Sequence, residues 1–254
     1  MKRVFSFTAG QYIHLPKNLL EKELNKYEAG QVILIDKPVD WTSFDVVRKI
    51  RSLIKIKKVG HAGTLDPLAT GLLIVCTGRF TKKINEYMGM EKEYTGTFTL
   101  GAVTPTYDLE SSPVEISDFS GITEAQIHGA TAAFTGEIKQ VPPIHSAIKK
   151  DGKPVYLMAR KGIDVQLEPR TITVKSFTIE KIELPVVHFK VVCSTGTYIR
   201  SLANDYGQHL GCGAYLSSLR RTRIGEFLAD KALHMEEFIH HVKQEALSEG
   251  ESYT

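Results

Sequence analysis

The sequence predicts an α+β fold built on a largely antiparallel sheet. Three observations predict it. Strand-like and helix-like segments mix without the regular βαβ rhythm of a parallel sheet. Residues 93–100, EYTGTFTL, place Tyr94, Gly96, Phe98 and Leu100 on one side and three threonines on the other, the period of a strand with one packed face. The helical segments begin at cap residues and end at glycines, as at Thr123 and Gly136. With 254 residues, 42% apolar and 24% charged, the chain can bury a core and is not a disordered polymer. No repeat, low-complexity tract or strong linker divides it. One domain is expected over 31–234, with an N-terminal extension at 1–30 and a short tail at 235–254.

Taken in order, residues 16–29 read as a helix ending at Gly30, with Leu19, Leu20 and Leu24 on one face. QVILID (31–36) is a short strand. DKPVDWTS is a turn, after which Thr42 or Ser43 caps a helix to about Ile54. Its inward residues are expected to be Phe44, Val47, Ile50 and Ile54. KVGHAGTLDPLATG (58–71) is a Gly- and Pro-rich loop leading into the apolar run 72–78. Residues 109–122 form an acidic loop. Thr123 and Gln126 make a capping box for a helix to about Phe134. Residues 171–179 and 186–194 are strands, a helix begins near Tyr198, a turn and strand cover 213–229, and 235–248 is a terminal helix.

Composition excludes several classes. No apolar run is long enough to span a bilayer, and the first residues lack a signal-peptide core, so a cytoplasmic protein without membrane contact is expected. Cys76, Cys193 and Cys212 are too few and too far apart for a disulfide framework or a zinc site and read as packing residues. There is no phosphate-loop, nucleophile-elbow, HExxH or calcium-loop motif, so neither metal nor cofactor is expected. His240 and His241 read as a chance surface pair.

Net charge is only +3, but its distribution is uneven. Basic residues run through 48–58 (RKIRSLIKIKK), recur at 149–161, and close with Arg220, Arg221 and Arg223. Such segregation suits a face that meets phosphates.

Asp66 stands within GHAGTLDPLATG. Gly60 and Gly63 permit sharp turns, and Pro67 drives Asp66 away from helical backbone angles. A carboxylate on a stiff loop is prepared for chemistry or binding. His61, Tyr94 and Tyr198 supply aromatic rings which, with the basic runs, suit an unstacked base. Arg200, two residues beyond Tyr198 at a strand-to-helix transition, could pair with Asp66 and keep it ionised; spacing alone equally allows a surface helix residue.

The segments DKPVDWTS, GHAGTLDPLATGLLIVCTG, KEYTGTFTLG, VPPIHSAIKKDGKPVYLMARKG, GTYIRSLANDYG and LSSLRRTRIGEF resemble, in order and spacing, those of the bacterial TruB tRNA pseudouridine synthases. The resemblance covers residue 31 to about 229. It implies the pseudouridine synthase fold, a bent mixed sheet crossed by a cleft. It implies conversion of uridine-55 in the T-loop of tRNA to pseudouridine, by a monomer with no obligate protein partner. By the same resemblance Asp66 matches the catalytic aspartate, and Tyr94 the tyrosine that stacks on the flipped base and can take a proton. His61 matches a histidine that helps to flip or hold the nucleotide. Tyr198 and Arg200 match the motif whose arginine pairs with the aspartate. Leu219 matches an apolar wall of the base pocket, and Lys37 a basic residue at the site's edge.

Two departures stand out. Asp40 occupies a position that is usually glycine in DKPxGxTS, and if that glycine needs positive φ, Asp is among the better substitutes. About 25 residues follow the GEF motif, too few for the C-terminal RNA-binding domain that many relatives carry. The rival readings are a non-catalytic RNA-binding module or chaperone, which would not need Asp66, and a metal-dependent phosphotransferase, whose paired acids are missing.

Overall fold

The structure, a computed structural model, describes residues 26–144, 149–150, 153–154 and 167–248. Most of the 16–29 helix and of the basic 149–161 stretch lies outside these residues. The strands of the first half are β1 (Val32–Lys37), β2 (Val59–Ala62), β3 (Thr70–Thr77), β4 (Lys92–Leu100), β5 (Ala102–Val103) and β6 (Glu115–Ile116). There follow β7 (Gly136–Gln140), β8 (Lys149–Lys150), β9 (Lys153–Pro154), β10 (Arg170–Glu183), β11 (Val186–Cys193), β12 (Ala214–Ile224) and β13 (Phe227–Leu228). The helices are α1 (Lys26–Ala29), α2 (Ser43–Ile54), α3 (Ile84–Gly89), α4 (Glu124–Ala130), α5 (Ile199–Leu210) and α6 (Met235–Ser248).

Nine described strands form one sheet in the order β1-β3-β12-β4-β11-β10-β7, with β2 joined to β3 and β13 to β12. Every pairing is antiparallel but one: Thr70 and Gly71 of β3 run parallel to Arg220 and Arg221 of β12. This seam joins two half-sheets, each with its own core, and gives the α+β, mainly antiparallel architecture that the sequence predicts. In the β4–β11–β10 half, Phe98, Phe177 and Phe189 pack with Tyr206 of α5, and the Phe98 and Phe189 rings stack at 4.1 Å. In the other half, Ile35, Leu73 and Val75 meet Val46, Val47 and Ile50 of α2. Met235, Phe238 and Val242 of α6 complete that core, so the terminal helix is packed onto the sheet.

Local chemistry sets the helix starts as expected. Thr42 and Asp45 form a reciprocal capping box for α2, and Thr123 with Gln126 does the same for α4. Two expectations fail. Phe44 points outward, 57% exposed, and Val46 takes its place in the core. The buried face of α2 is thus the 43-46-47-50-54 stripe, one step round the helix from the predicted one. Residues 59–62, read as loop, form β2, a short hairpin partner of β3 that its Gly and His disguise. No helix among the described residues is long and apolar enough to cross a membrane. Cys76, Cys193 and Cys212 are free and buried.

Candidate active site

The loop between β2 and β3, Gly63–Ala69, runs into the seam, and neighbouring elements hold it one residue after another. Arg221 of β12, 1% exposed, donates to the carbonyls of Gly63 at 3.1 Å and Thr64 at 3.5 Å, and to Leu72 at 2.8 Å. The Ser43 hydroxyl donates to the Leu65 carbonyl at 3.1 Å and accepts from the Leu65 amide at 2.9 Å. Thr42 holds the cap of α2, so Ser43 is free for this clamp. Lys37 Nζ and the Asp40 amide both donate to the Pro67 carbonyl, at 3.1 and 3.0 Å. Asp40 reaches it with φ 64, the left-handed backbone that explains glycine in the related motif and tolerates Asp here. Of the two loop glycines, Gly63 turns the chain with φ 87. Gly60 does not: it lies in β2, where a Cβ would stand 2.8 Å from Ile84 Cδ1 and would be accommodated by a shift of that side-chain tip.

Asp66 is the residue that this loop presents. Its Oδ2 lies 2.9 Å from Nε of Arg200, whose side chain is 4% exposed against 36% for the aspartate. Arg200 is fixed in turn by Asp108, Oδ2 at 3.5 Å from Nη1, and donates from Nη1 to the Thr106 carbonyl at 3.2 Å. Burial pushes the Asp66 carboxyl above the usual carboxylate range. Arg200 and Lys37 pull against that, and Asp108 adds to it.

Asp66, Tyr94, Tyr198, Arg200 and Leu219 line one cleft of about 270 Å³, together with Lys92 and Arg221. Tyr94 on β4 is directly opposite Arg221 on β12, and Leu219 is opposite Gly96. Burial raises the Tyr94 phenol pKa, with Arg221 opposing, so the hydroxyl stays protonated at neutral pH. Lys92 is also buried, which lowers its ammonium to about 8, and it donates to the Met88 and Met90 carbonyls.

Two predicted residues lie elsewhere. His61 sits half-buried in β2, its pKa lowered by burial and by Arg221, and does not line the cleft. Lys37 is buried beside the Asp66 loop and does not line the cleft: it is 0% exposed, and its Nζ donates to the carbonyls of Pro38 at 2.9 Å, Trp41 at 2.5 Å and Pro67 at 3.1 Å. Burial lowers it to about 8.

Three residues of this network escape the sequence reading: Ser43, Lys92 and Asp108. Asp108 reads as one acid in a solvated loop, yet it is 4% exposed. The third basic run also differs from expectation. Arg221 is buried, Arg220 is bound to Asp36 and Arg223 to Glu91. Successive strand residues face opposite ways, so such a run cannot make one basic surface. On helix α2 and just after it, by contrast, Arg48, Lys49, Lys55, Lys57 and Lys58 are exposed.

The fold is the pseudouridine synthase fold. It superposes on the crystal structure of a Cbf5-Nop10-Gar1 complex with a TM-score of 0.69 and 30% identity, over 89% of this chain and 58% of that one. It also matches the structure of an H/ACA RNP bound to a substrate RNA containing 2′-deoxyuridine, at 0.66 and 28%, over 89% and 57%. The chain thus spans less than three fifths of the length of those two. The TruB family pseudouridylate synthase N-terminal domain profile matches residues 51–199, and that of the tRNA pseudouridylate synthase B C-terminal domain matches 200–251. The tRNA pseudouridine synthase B of Flavobacterium johnsoniae is 52% identical over 215 residues, 82% of this chain and 94% of that protein. That of Parabacteroides distasonis is 47% identical over 82% and 92%. The chain belongs to the TruB family of pseudouridylate synthases.

Proposed function

We propose that this chain is the tRNA pseudouridine synthase that isomerises uridine-55 in the T-loop, with Asp66 as the catalytic carboxylate. One observation carries the reading: a carboxylate held by a buried arginine opens onto a cleft of nucleobase scale that is walled by Tyr94 and Leu219. The target uridine is stacked within the T-loop, so it must be flipped out, at a cost of a few kcal/mol that stacking and phosphate contacts offset. Tyr94 and Leu219 then sandwich the uracil. Asp66 attacks C6 of the base or C1′ of the ribose, or removes a ribose proton to give a glycal. The C1′–N1 bond breaks with its electron pair left on the uracil, the uracil turns, and C5 bonds to C1′; the bond to Asp66 is broken, or on the glycal route the ribose proton is returned, the C5 proton leaves and N1 takes up a proton. The product is an isomer, so the chemistry calls for no outside oxidant or energy source.

The other residues take supporting roles. Arg200 keeps Asp66 ionised and aimed. Tyr94 works first as a stacking surface, because its hydroxyl keeps its proton. His61, near the end of β2 that leads into this loop, helps to flip or hold the nucleotide. Lys37 positions Pro67 and so the aspartate before it. The exposed cations of 48–58 hold the phosphate backbone, in a protein at work in the cytoplasm. The catalytic unit over 31–234 is completed by α6 packed against α2.

The test uses unmodified tRNA transcript carrying C5-tritiated uridine. The wild-type chain is expected to release tritium and to leave pseudouridine at position 55. Binding should weaken steeply as salt rises, because bound phosphates release counterions. Product at another uridine, or a salt-independent dissociation constant, would count against the assignment.

A further inference from the structure

Gln140 ends β7, the outermost strand of the sheet, and its side chain is 3% exposed. Its carboxamide reaches 58 residues along the chain to Tyr198. Oε1 accepts from the Tyr198 amide at 2.8 Å, and Nε2 donates to the Tyr198 carbonyl at 3.0 Å. The following residue makes a second tie, for Ser201 Oγ donates to the Val141 carbonyl at 2.9 Å.

Tyr198 needs such support. It precedes α5 with extended backbone (φ −100, ψ 108), and no side chain caps the helix there. Its amide stands outside the helical ladder, while its carbonyl takes the first helical bond from Leu202. At neutral pH only a carboxamide offers one donor and one acceptor at this spacing. Gln140 therefore grips the Tyr198 peptide groups as a neighbouring strand would. Rotation about those backbone bonds would swing the Tyr198 ring along the cleft wall and carry Arg200, two residues on, away from Asp66.

We propose that Gln140 is a positioning residue for the isomerisation, fixing the Tyr198 backbone and through it the cleft wall and the arginine that aims Asp66. This rests on the cleft being the uridine site. The test compares Gln140→Leu, Gln140→Glu and Asp66→Asn with the wild-type full chain on unmodified tRNA. It measures the tRNA dissociation constant, the single-turnover rate from about pH 8 to about pH 6, and the melting temperature.

Both Gln140 variants are expected to bind tRNA within about twofold of wild type and to turn over on the order of tenfold to a hundredfold more slowly. Protonation restores one donor and one acceptor to a buried glutamic acid. The ratio of the Gln140→Glu rate to the wild-type rate should therefore rise as pH falls, with the titration of Asp66 cancelling in the ratio. Gln140→Leu should show no such recovery. If the leucine variant does not fold, the glutamate ratio decides alone. A flat ratio, wild-type turnover in both variants, or a loss confined to tRNA affinity overturns the proposal. An inactive wild type or an active Asp66→Asn overturns the site reading instead; an active wild type with silent Gln140 variants overturns only this inference.

Discussion

Of the aspartate–arginine pairs among the described residues, Asp36–Arg220 and Asp66–Arg200 are built in opposite ways. Asp36 and Arg220 meet side on, with two hydrogen bonds of 3.0 and 2.7 Å, and it is the carboxylate that is buried, at 9% exposure, while the arginine is 41% exposed. Asp66 and Arg200 meet with Oδ2 at 2.9 Å from Nε, and here the arginine is the buried member, at 4% exposure, and the aspartate is 36% exposed. The first pair satisfies both partners of the bidentate geometry and ties β1 to β12. In the second, Asp108 and the Thr106 carbonyl share the arginine, so the guanidinium is anchored whether or not Asp66 is engaged. A structural pair closes on itself; a working pair anchors one member and leaves the other available to substrate.

Exchanging the two aspartates for asparagine gives the widest separation. Asp66→Asn is expected to cut pseudouridine formation to below about a thousandth of the wild-type rate, with tRNA binding retained. Asp36→Asn should keep most of the activity but lose about 1–2 kcal/mol of stability. Tritium release and thermal melting on both variants check this. Near-equal activities would erase the distinction. Arg200→Lys comes next. It keeps the charge but loses the planar fork that reaches Asp66, Asp108 and Thr106 together, so a rate loss on the order of tenfold to a hundredfold is expected. A melting-temperature drop with turnover unchanged would assign Arg200 to the fold alone.

The half-buried Asp66 carboxylate also has a pH signature. Burial raises Asp66, and Asp108 raises it further. Activity requires the ionised form, so it should fall, as pH is lowered, through a midpoint above that of an ordinary aspartate. Asp108→Asn removes the like charge and should move that acid limb to lower pH, while loosening Arg200 enough to lower the plateau. The pH profile of kcat/KM reports both, and an unmoved or raised midpoint would mean that Asp108 acts on Arg200 alone.

Elements with a local cause were legible in the sequence. The threonine caps, the alternating strand at 93–100 and the Asp-Pro loop follow from neighbouring residues, and so did the pairing partners Asp66 and Arg200 once the motif was in view. What escaped depends on contacts between distant segments. Ser43 reads as one of two possible caps, and only the folded α2 shows that Thr42 takes the cap and leaves Ser43 to hold Leu65. Asp108 and Gln140 carry no local sign, since an acid in a polar loop and an amide at a strand end are ordinary. Arg221 misleads for a different reason: charge counts treat helical and strand runs alike, but alternation turns Arg220 and Arg221 to opposite faces.

The smallest expected effect concerns Lys37, beneath the open pair. Its ammonium donates to three carbonyls, the last of them on Pro67, yet burial lowers it to about 8 although Asp66 and Asp40 work to raise it. Those hydrogen bonds therefore do not fully offset the loss of water. Below about pH 8 the folded chain holds a charge that the unfolded chain, with the ordinary value of 10.5, holds more easily. Between those values the folded state sheds the proton and the unfolded state keeps it, so the penalty shrinks as pH rises. Lys37→Met keeps the length without the charge. Its single-turnover rate should fall only several-fold, from a looser Pro67. Its melting temperature should compare best with wild type near neutral pH, with the wild type gaining on it as pH climbs from about 8 toward 10.5. A temperature difference that stays constant over that range would show that Lys37 titrates as it does in water, and that its three carbonyls fully replace the solvent it gave up.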